Sequence, residues 1–322
     1  MKRRDIAWGL GLAMAGLAGR SAFAQAYPAR QVHLVVTGTP GQGTDIVSRL
    51  IAQKLSERLK QQIVVENRAG AGGNIAAEYA SKAPADGYTL LMATNATHAA
   101  NPAMYARLPY DPTADFTPIS LVGLLPMMIS SSPALPVSNV REFVALARSK
   151  PGAINVAVPS SSARVVLELF NQLGKVELFP VSYKGSGPAF IDLFGGRIQA
   201  TIDTVSATMP QIAGGKVKAL AVSTARRFEA VPDVPTLAES GVGDFDLAPW
   251  NGLMAPRGTP REIVNLLNMH VAAILAEPDT RKRMVDLGIQ PASGTPEQFD
   301  RFVQGEARKW GDLIRKANIK AE

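Results

Sequence analysis

The chain has 322 residues, 46% of them apolar and 19% charged, and a formal net charge of +7. That is enough for about two ordinary globular domains with a real core. There is no cysteine and there are only three histidines, His33, His98 and His270, which excludes disulfides, thiolate metal sites and cysteine nucleophiles.

The first residues read as targeting, not fold. Lys2, Arg3 and Arg4 precede a short apolar run over 6–18, and Ala22-Phe23-Ala24 forms a small-x-small cleavage site before Gln25. This is the pattern of a secretory signal peptide over 1–24. The run is too short to span a membrane. Arg3-Arg4 also suits a twin-arginine signal, so the export route stays open. Cleavage would remove four basic residues and Asp5, leaving 30 basic against 26 acidic residues and a net charge of +4. The basic residues are scattered, without an interleaved aromatic stripe. That suits a soluble protein that attracts anions and argues against nucleic acid as a partner.

From Gln31 the chain alternates strand and helix patterns. Gln31–Val36 reads as a strand, and 37–45 as a loop with three glycines and a proline. Ile46, Val47, Leu50, Ile51, Leu55 and Leu59 then share one broad helical face, with Thr44 or Asp45 as the expected cap. Gln62–Glu66 is strand-like, 67–74 is a second Gly-rich loop and Ile75–Lys82 is helical. Thr89–Ala93 is a strand, followed by a third polar loop over 94–98. A long apolar run from Phe116 to Ser130 carries Pro118 and Pro126, which suit an extended segment passing between domains.

A second series follows: a helix over Val140–Ser149, a strand over Asn155–Val158 and a helix opened by Ser160, Ser161 and Ser162. Then come a strand over Leu178–Ser182, the loop Tyr183–Pro188, a helix to Phe194, a strand over Ala200–Ile202, a helix over Ser206–Ala213 and a strand over Lys218–Ser223. Trp250–Pro256 can carry the chain back. Thr259-Pro260-Arg261-Glu262 and Thr295-Pro296-Glu297-Gln298 both read as helix starts with a capping box and proline at the first helical position. Gly288 is the expected stop between them. The β–α alternation predicts mostly parallel sheets with helices on both faces.

Six polar or glycine-rich segments, 37–45, 67–74, 94–98, 159–163, 183–188 and 203–206, follow six of these strands. In open α/β sheets the ligand crevice lies beyond the carboxyl ends of strands. Most of these segments offer hydroxyls, amides and backbone N–H groups, an inventory suited to a carboxylate. No His-x-x-x-His or Glu-x-x-His pair appears, so no metal site and no cofactor are expected. Ser160–Ser162 lack a nucleophile elbow and no histidine is placed to act with them, so no catalytic residue is expected. His98 is a lone loop histidine and reads as structural.

Taken in order, several motifs resemble the Bug-type substrate-binding proteins of the tripartite tricarboxylate transporter family. They include Pro40-Gly41 with Gly43-Thr44-Asp45-Ile46-Val47, the run Val65–Ile75, Asp86-Gly87-Tyr88-Thr89-Leu90-Leu91, and Thr97-His98 with Asn101-Pro102. Further on stand Leu108–Pro112, Tyr183–Ala189, Val231–Thr236 and Gly258-Thr259-Pro260. The resemblance implies a two-lobed, type II-like periplasmic binding fold with strand hinge crossings. One lobe would be 25–125 plus 248–322 and the other 126–247. It implies a monomeric, non-enzymatic periplasmic protein that closes on a small organic acid and passes it to membrane transporter subunits. A sensor subunit for a signalling partner and, more remotely, an exported hydrolase are the alternatives.

By the family pattern, Thr39, Gly41, Gln42, Gly43 and Thr44 grip the ligand carboxylate together with Tyr183, Gly185 and Ser186. Thr94 and Thr97 would line the first lobe, and Ser160 and Ser161 the second. Asp203 would either accept from a ligand amine or hydroxyl or cap the helix after it. Two places depart from the family. Thr37, Gly38 and Thr39 stand where relatives carry proline, phenylalanine and alanine, and Gln42 replaces a glycine. The loop Val158–Arg164 is glycine-free and stiffened by Pro159. Arg164 could face the cleft and pair with a second acidic group, or be an ordinary solvated helix arginine.

Overall fold

The computed structural model describes residues 27–320. The expected signal peptide lies outside them. Among the described residues no helix is long and apolar enough to cross a membrane.

The first lobe is built from β1 (Val32–Val36), α1 (Gly43–Leu59), β2 (Ile63–Asn67), α2 (Asn74–Ser81), β3 (Thr89–Thr94), the short α3 (Asn101–Met104) and β4 (Phe116–Leu124). The second runs through β5 (Met127–Ser131), α4 (Val140–Ser149), β6 (Asn155–Val158), α5 (Ser161–Gly174), β7 (Phe179–Ser182), α6 (Ser186–Phe194), β8 (Ala200–Thr204), α7 (Val205–Ala213) and β9 (Lys218–Val222). The chain returns through β10 (Trp250–Pro256), α8 (Arg261–Ala276), α9 (Pro278–Asp286), β11 (Gln290–Pro291) and α10 (Pro296–Lys316).

Two sheets result, ordered β11-β4-β10-β3-β1-β2 and β7-β6-β8-β5-β9. In the first, β2, β1 and β3 are parallel and β10 enters antiparallel between β3 and β4. In the second, β7, β6 and β8 are parallel and β5 is antiparallel to both its neighbours. Both faces of the first sheet are covered. Leu34, Leu90 and Leu253 pack under α1 and α8, whereas their chain neighbours Val35, Leu91 and Met254 face α2 and Phe299. Continuous apolar runs are the signature of such doubly covered strands.

The lobes are joined by two strand crossings lying side by side. Leu125 and Pro126 carry β4 into β5, and Pro249 leads into β10. The Leu125 N–H donates to the Pro249 carbonyl at 2.7 Å, so the crossings are tied to each other. Pro118 is tolerated because β11 pairs only with Gly123 and Leu124, which leaves the rest of β4 an edge along that side.

Three local expectations need correction. α1 starts two residues early, with Gln42 as N-cap, so neither Thr44 nor Asp45 caps it. Thr259 is not a cap either, because its hydroxyl donates to the Pro256 carbonyl at 2.8 Å in the preceding turn. The segment after Thr94 is no loop: it winds at once into a wide π-turn, Ala96–Ala100, that runs into α3. By contrast, Thr295 and Gln298 do form a full capping box at the start of α10.

Candidate functional site

A cavity of about 390 Å³ lies between the lobes, and all six strand-end segments reach it. Its first wall comes from the loops after β1 and β2, the start of the π-turn, and Trp250-Asn251 of β10. The loop after β1 is stitched from behind. Asp45 accepts from Gly41 N at 2.9 Å, from Asn67 Nδ2 at 2.9 Å and from Arg49 Nε at 3.0 Å. Burial raises this carboxyl, but the donors from Arg49, Gly41 and Asn67 outweigh it and hold it below the usual aspartate range. Asn67 Nδ2 also donates to the Gly38 carbonyl at 2.9 Å.

Gln42 folds back on its own loop, its Oε1 accepting from Thr39 N at 3.1 Å. A Cβ on Gly38 would stand 2.6 Å from that oxygen, so Gly38 and Gln42 form one device. Gly70, Gly72 and Gly73 all take positive φ, which lets the backbone after β2 turn sharply at the cavity.

The second wall is made of helix starts. Ser160 caps α5 by accepting from Ala163 N at 3.1 Å, and Ser161 and Arg164 on its first turn line the cavity. Arg164 Nε donates to Glu168 at 2.7 Å. Tyr183 and Lys184 precede α6. The Tyr183 hydroxyl donates to Asp192 at 2.7 Å, and burial together with that carboxylate raises it to about 12. Asp203 ends β8. Thr204, not Asp203, caps α7. Asp203 Oδ1 accepts from Thr204 N at 2.7 Å, and Oδ2 has no partner within the protein. Burial raises this carboxyl to about 6, a shift reduced by the Ser186 and Thr204 donors, although the Ser186 hydroxyl stops short of a full hydrogen bond.

Of the residues expected at the site, Gln42, Thr44, Thr94 and Ser160 line the cavity, as do Ser161, Arg164, Tyr183 and Asp203. Thr39, Gly41, Gly43, Gly185 and Ser186 are not part of its lining. Several of these are where the lobes touch. A Cβ on Gly185 would run into the Thr39 hydroxyl, and one on Gly43 into the side chains of Thr204 and Ser206. Thr97 is fully buried and is used locally. It exchanges hydrogen bonds with Thr94 and sits 2.8 Å from His98 Nδ1. His98 packs edge-on against Phe116, and burial lowers it to about 3, so it stays neutral and away from the cavity.

Sequence reasoning missed Asn95, Trp250 and Asn251. Each lines the cavity and carries a buried polar atom with no protein partner: Asn95 Nδ2, Trp250 Nε1 and Asn251 Oδ1. The only sequence signal was their place at a strand end or at a lobe crossing. The two lobes are closed on each other, and Ser162 Oγ of one donates to Asn95 Oδ1 of the other at 2.9 Å. Among the described residues no three metal-ligating side chains come together.

Residues 47–319 match the family model described as the tripartite tricarboxylate transporter family receptor. The chain belongs to that family. Protein BugT of Bordetella pertussis is 35% identical over 315 residues, spanning 97% of this chain and 96% of the relative. An R. palustris protein solved with adipate superposes with a TM-score of 0.90 at 40% identity, covering 91% of this chain and 99% of its own. The periplasmic binding protein BugD superposes with a TM-score of 0.87 at 32% identity, covering 92% of this receptor and 100% of its own chain. The receptor thus has the two-lobed periplasmic binding fold, each lobe a sheet between helices, with the strands that carry the cavity loops parallel and the crossing strands antiparallel to their neighbours.

Proposed function

We propose that this receptor works in the periplasm, captures a small organic acid between its lobes, and delivers it to a tripartite tricarboxylate-type membrane transporter. One observation carries the carboxylate reading: the starts of α1, α2, α5 and α7 reach one cavity, whose lining also includes Asn95 and Trp250, each with a buried donor that has no protein partner. Helix starts present free N–H groups and a positive dipole end, and an anion is the natural complement. The adipate-bound relative supports an acid ligand. Thr44, Thr94, Ser160, Ser161 and Gln42 are the ligand-facing hydroxyls and amide in this reading, with Thr39, Gly185 and Ser186 setting the fit of the closed lobes. Closure around the ligand is the signal that the membrane subunits read.

The arrangement does not favour hydrolysis. Ser160 Oγ accepts from Ala163 N at its helix start, Ser162 donates to Asn95, and among the described residues no histidine lines the cavity to act as a base. A thermal-shift screen of mono-, di- and tricarboxylates tests the reading. A ligand at a thousand times its Kd stabilises the folded state by about 4 kcal/mol, a shift of several degrees. Absence of any shift across the panel sinks the proposal.

A further inference from the structure

α10 is a third link between the lobes. Near its start Phe299 packs against Trp250 and fills the space over Gly252 in the first lobe. In its last turns Trp310 and Ile314 join an apolar cluster that combines Ala99, Ala100 and Met104 of the first lobe with residues of the second, Val166 and Phe170 among them. The helix ends in a Schellman motif. Asn318 takes φ +51, its N–H donates to the Arg315 carbonyl at 3.2 Å, and Ile319 N–H donates to the Ile314 carbonyl at 3.0 Å. The apolar contact that accompanies this motif is present too: Ile319 is 6% exposed and sits in the same core cluster as Ile314. The direction of the chain past the helix is therefore fixed, and the next residue, Lys320, lines the cavity.

Two other cations line it, Arg164 and Lys184, both carried by the second lobe. Arg164 is steadied by Glu168. Among the described residues, the strand-end loops and β10 of the first-lobe wall contribute no cation to the lining, which leaves Lys320, at the end of α10, as the remaining one. The cavity is thus polarised. One wall offers neutral donors, enough for one carboxylate, and the other offers positive charge. A second carboxylate taken out of water without a countercharge would be costly. A lysine, a compact charge on a flexible stem, can reach acid groups at different distances.

We propose that Lys320, delivered by the pinned C-terminal tail, binds the second acid group of a dicarboxylate whose first acid group sits against the neutral first-lobe wall. The tail then selects diacids over monoacids. This rests on the carboxylate-receptor reading above.

The test is calorimetric titration of the purified protein with succinate, glutarate and adipate, each paired with the monoacid of the same carbon number. Lys320→Gln should weaken the best diacid about fivefold at low salt and leave its monoacid partner unchanged. Lys320→Arg should restore most of the loss. Molar salt should shrink the difference, because it shortens the screening length to about 3 Å. Lys316→Gln, on the same helix but off the cavity, should change neither acid. Equal weakening of diacid and monoacid, no weakening at all, or an equal effect of Lys316→Gln each overturns the inference while the receptor reading stands. A wild-type protein that binds none of these acids overturns the inference, and the wider carboxylate panel above then decides the receptor reading.

Discussion

The two walls of the cavity each have a buried aspartate, Asp45 behind the first and Asp203 lining the second, and the two are treated in opposite ways. Asp45 in the first lobe is surrounded by Arg49, Asn67 and the Gly41 N–H, and its carboxyl is held low. Asp203 in the second lobe has one backbone donor and an unpartnered oxygen, and its carboxyl is pushed up to about 6. Both walls keep unspent polar groups, Asn95 Nδ2, Trp250 Nε1 and Asn251 Oδ1 on the first and Asp203 Oδ2 on the second, so the walls differ in how their carboxylates are held and not in completeness. A carboxylate with all its partners stabilises the loop it ties, whereas one left short of them is free to answer a ligand.

The same substitution at both positions should therefore give opposite signs. Asp45→Asn loses charge-assisted bonds to Arg49 and Gly41 and should cost the apo protein about 2–3 kcal/mol in urea unfolding at pH 7.5. Asp203→Asn removes a charge that the folded state accommodates poorly. Its ionisation begins in the unfolded chain near pH 3.8 and in the folded chain near 6, so stability falls as pH rises through that window. The two-unit gap sets a ceiling of about 3 kcal/mol. Burying the new amide offsets part of it, so a gain of about 1–2 kcal/mol at pH 7.5 and none near pH 3.5 is expected. Asp45 behaves in reverse: its stabilisation is present above the unfolded value and disappears as pH falls through its lower folded value. Losses of equal sign at both sites would break the contrast.

The next effect is smaller and concerns the place where the walls meet. Gly185 has φ +149, and an added Cβ would collide with Thr39 across the cleft. Gly185→Ala should weaken acid binding about tenfold, through backbone strain and blocked closure. Gly187, two residues on, has open space around it and no positive φ. Gly187→Ala in the same titration should leave affinity within about twofold. Equal losses from both would show that the loop, and not the Thr39 contact, controls closure.

The sheets were legible because β-branched runs and helical spacing both follow from burial, which local sequence carries. Helix starts were less so. At Thr259 a threonine and a glutamate at capping-box spacing were present, yet the turn at Pro256 takes the hydroxyl. Thr97 looked like a ligand contact and is consumed by Thr94, a competition between local and distant partners that spacing does not reveal. Strand-end loops could be assigned to the cleft from topology, and the family resemblance then named Thr44, Thr94, Ser160 and Asp203 within them. Trp250, Asn251 and Lys320 reach it by way of a lobe crossing and a helix terminus far along the chain, and no short-range pattern announces that. The paired departures Gly38 and Gln42 were visible as oddities, but only the fold shows that one makes room for the other.

The smallest expected effect isolates closure itself. Ser162 and Asn95 sit on opposite lobes and meet only when the lobes come together, at 2.9 Å. A buried neutral hydrogen bond contributes about 1 kcal/mol, so Ser162→Ala should weaken ligand binding about fivefold with little change in apo stability. Asn95→Ala should cost more, since it also removes an unpartnered amide from the cavity lining. The double-mutant cycle separates these contributions, and a coupling of about 1 kcal/mol in binding free energy is expected. If the two losses simply add, the cross-lobe bond contributes nothing to the bound state. Asn95 would then act only through the unpartnered amide it already contributes to the first wall.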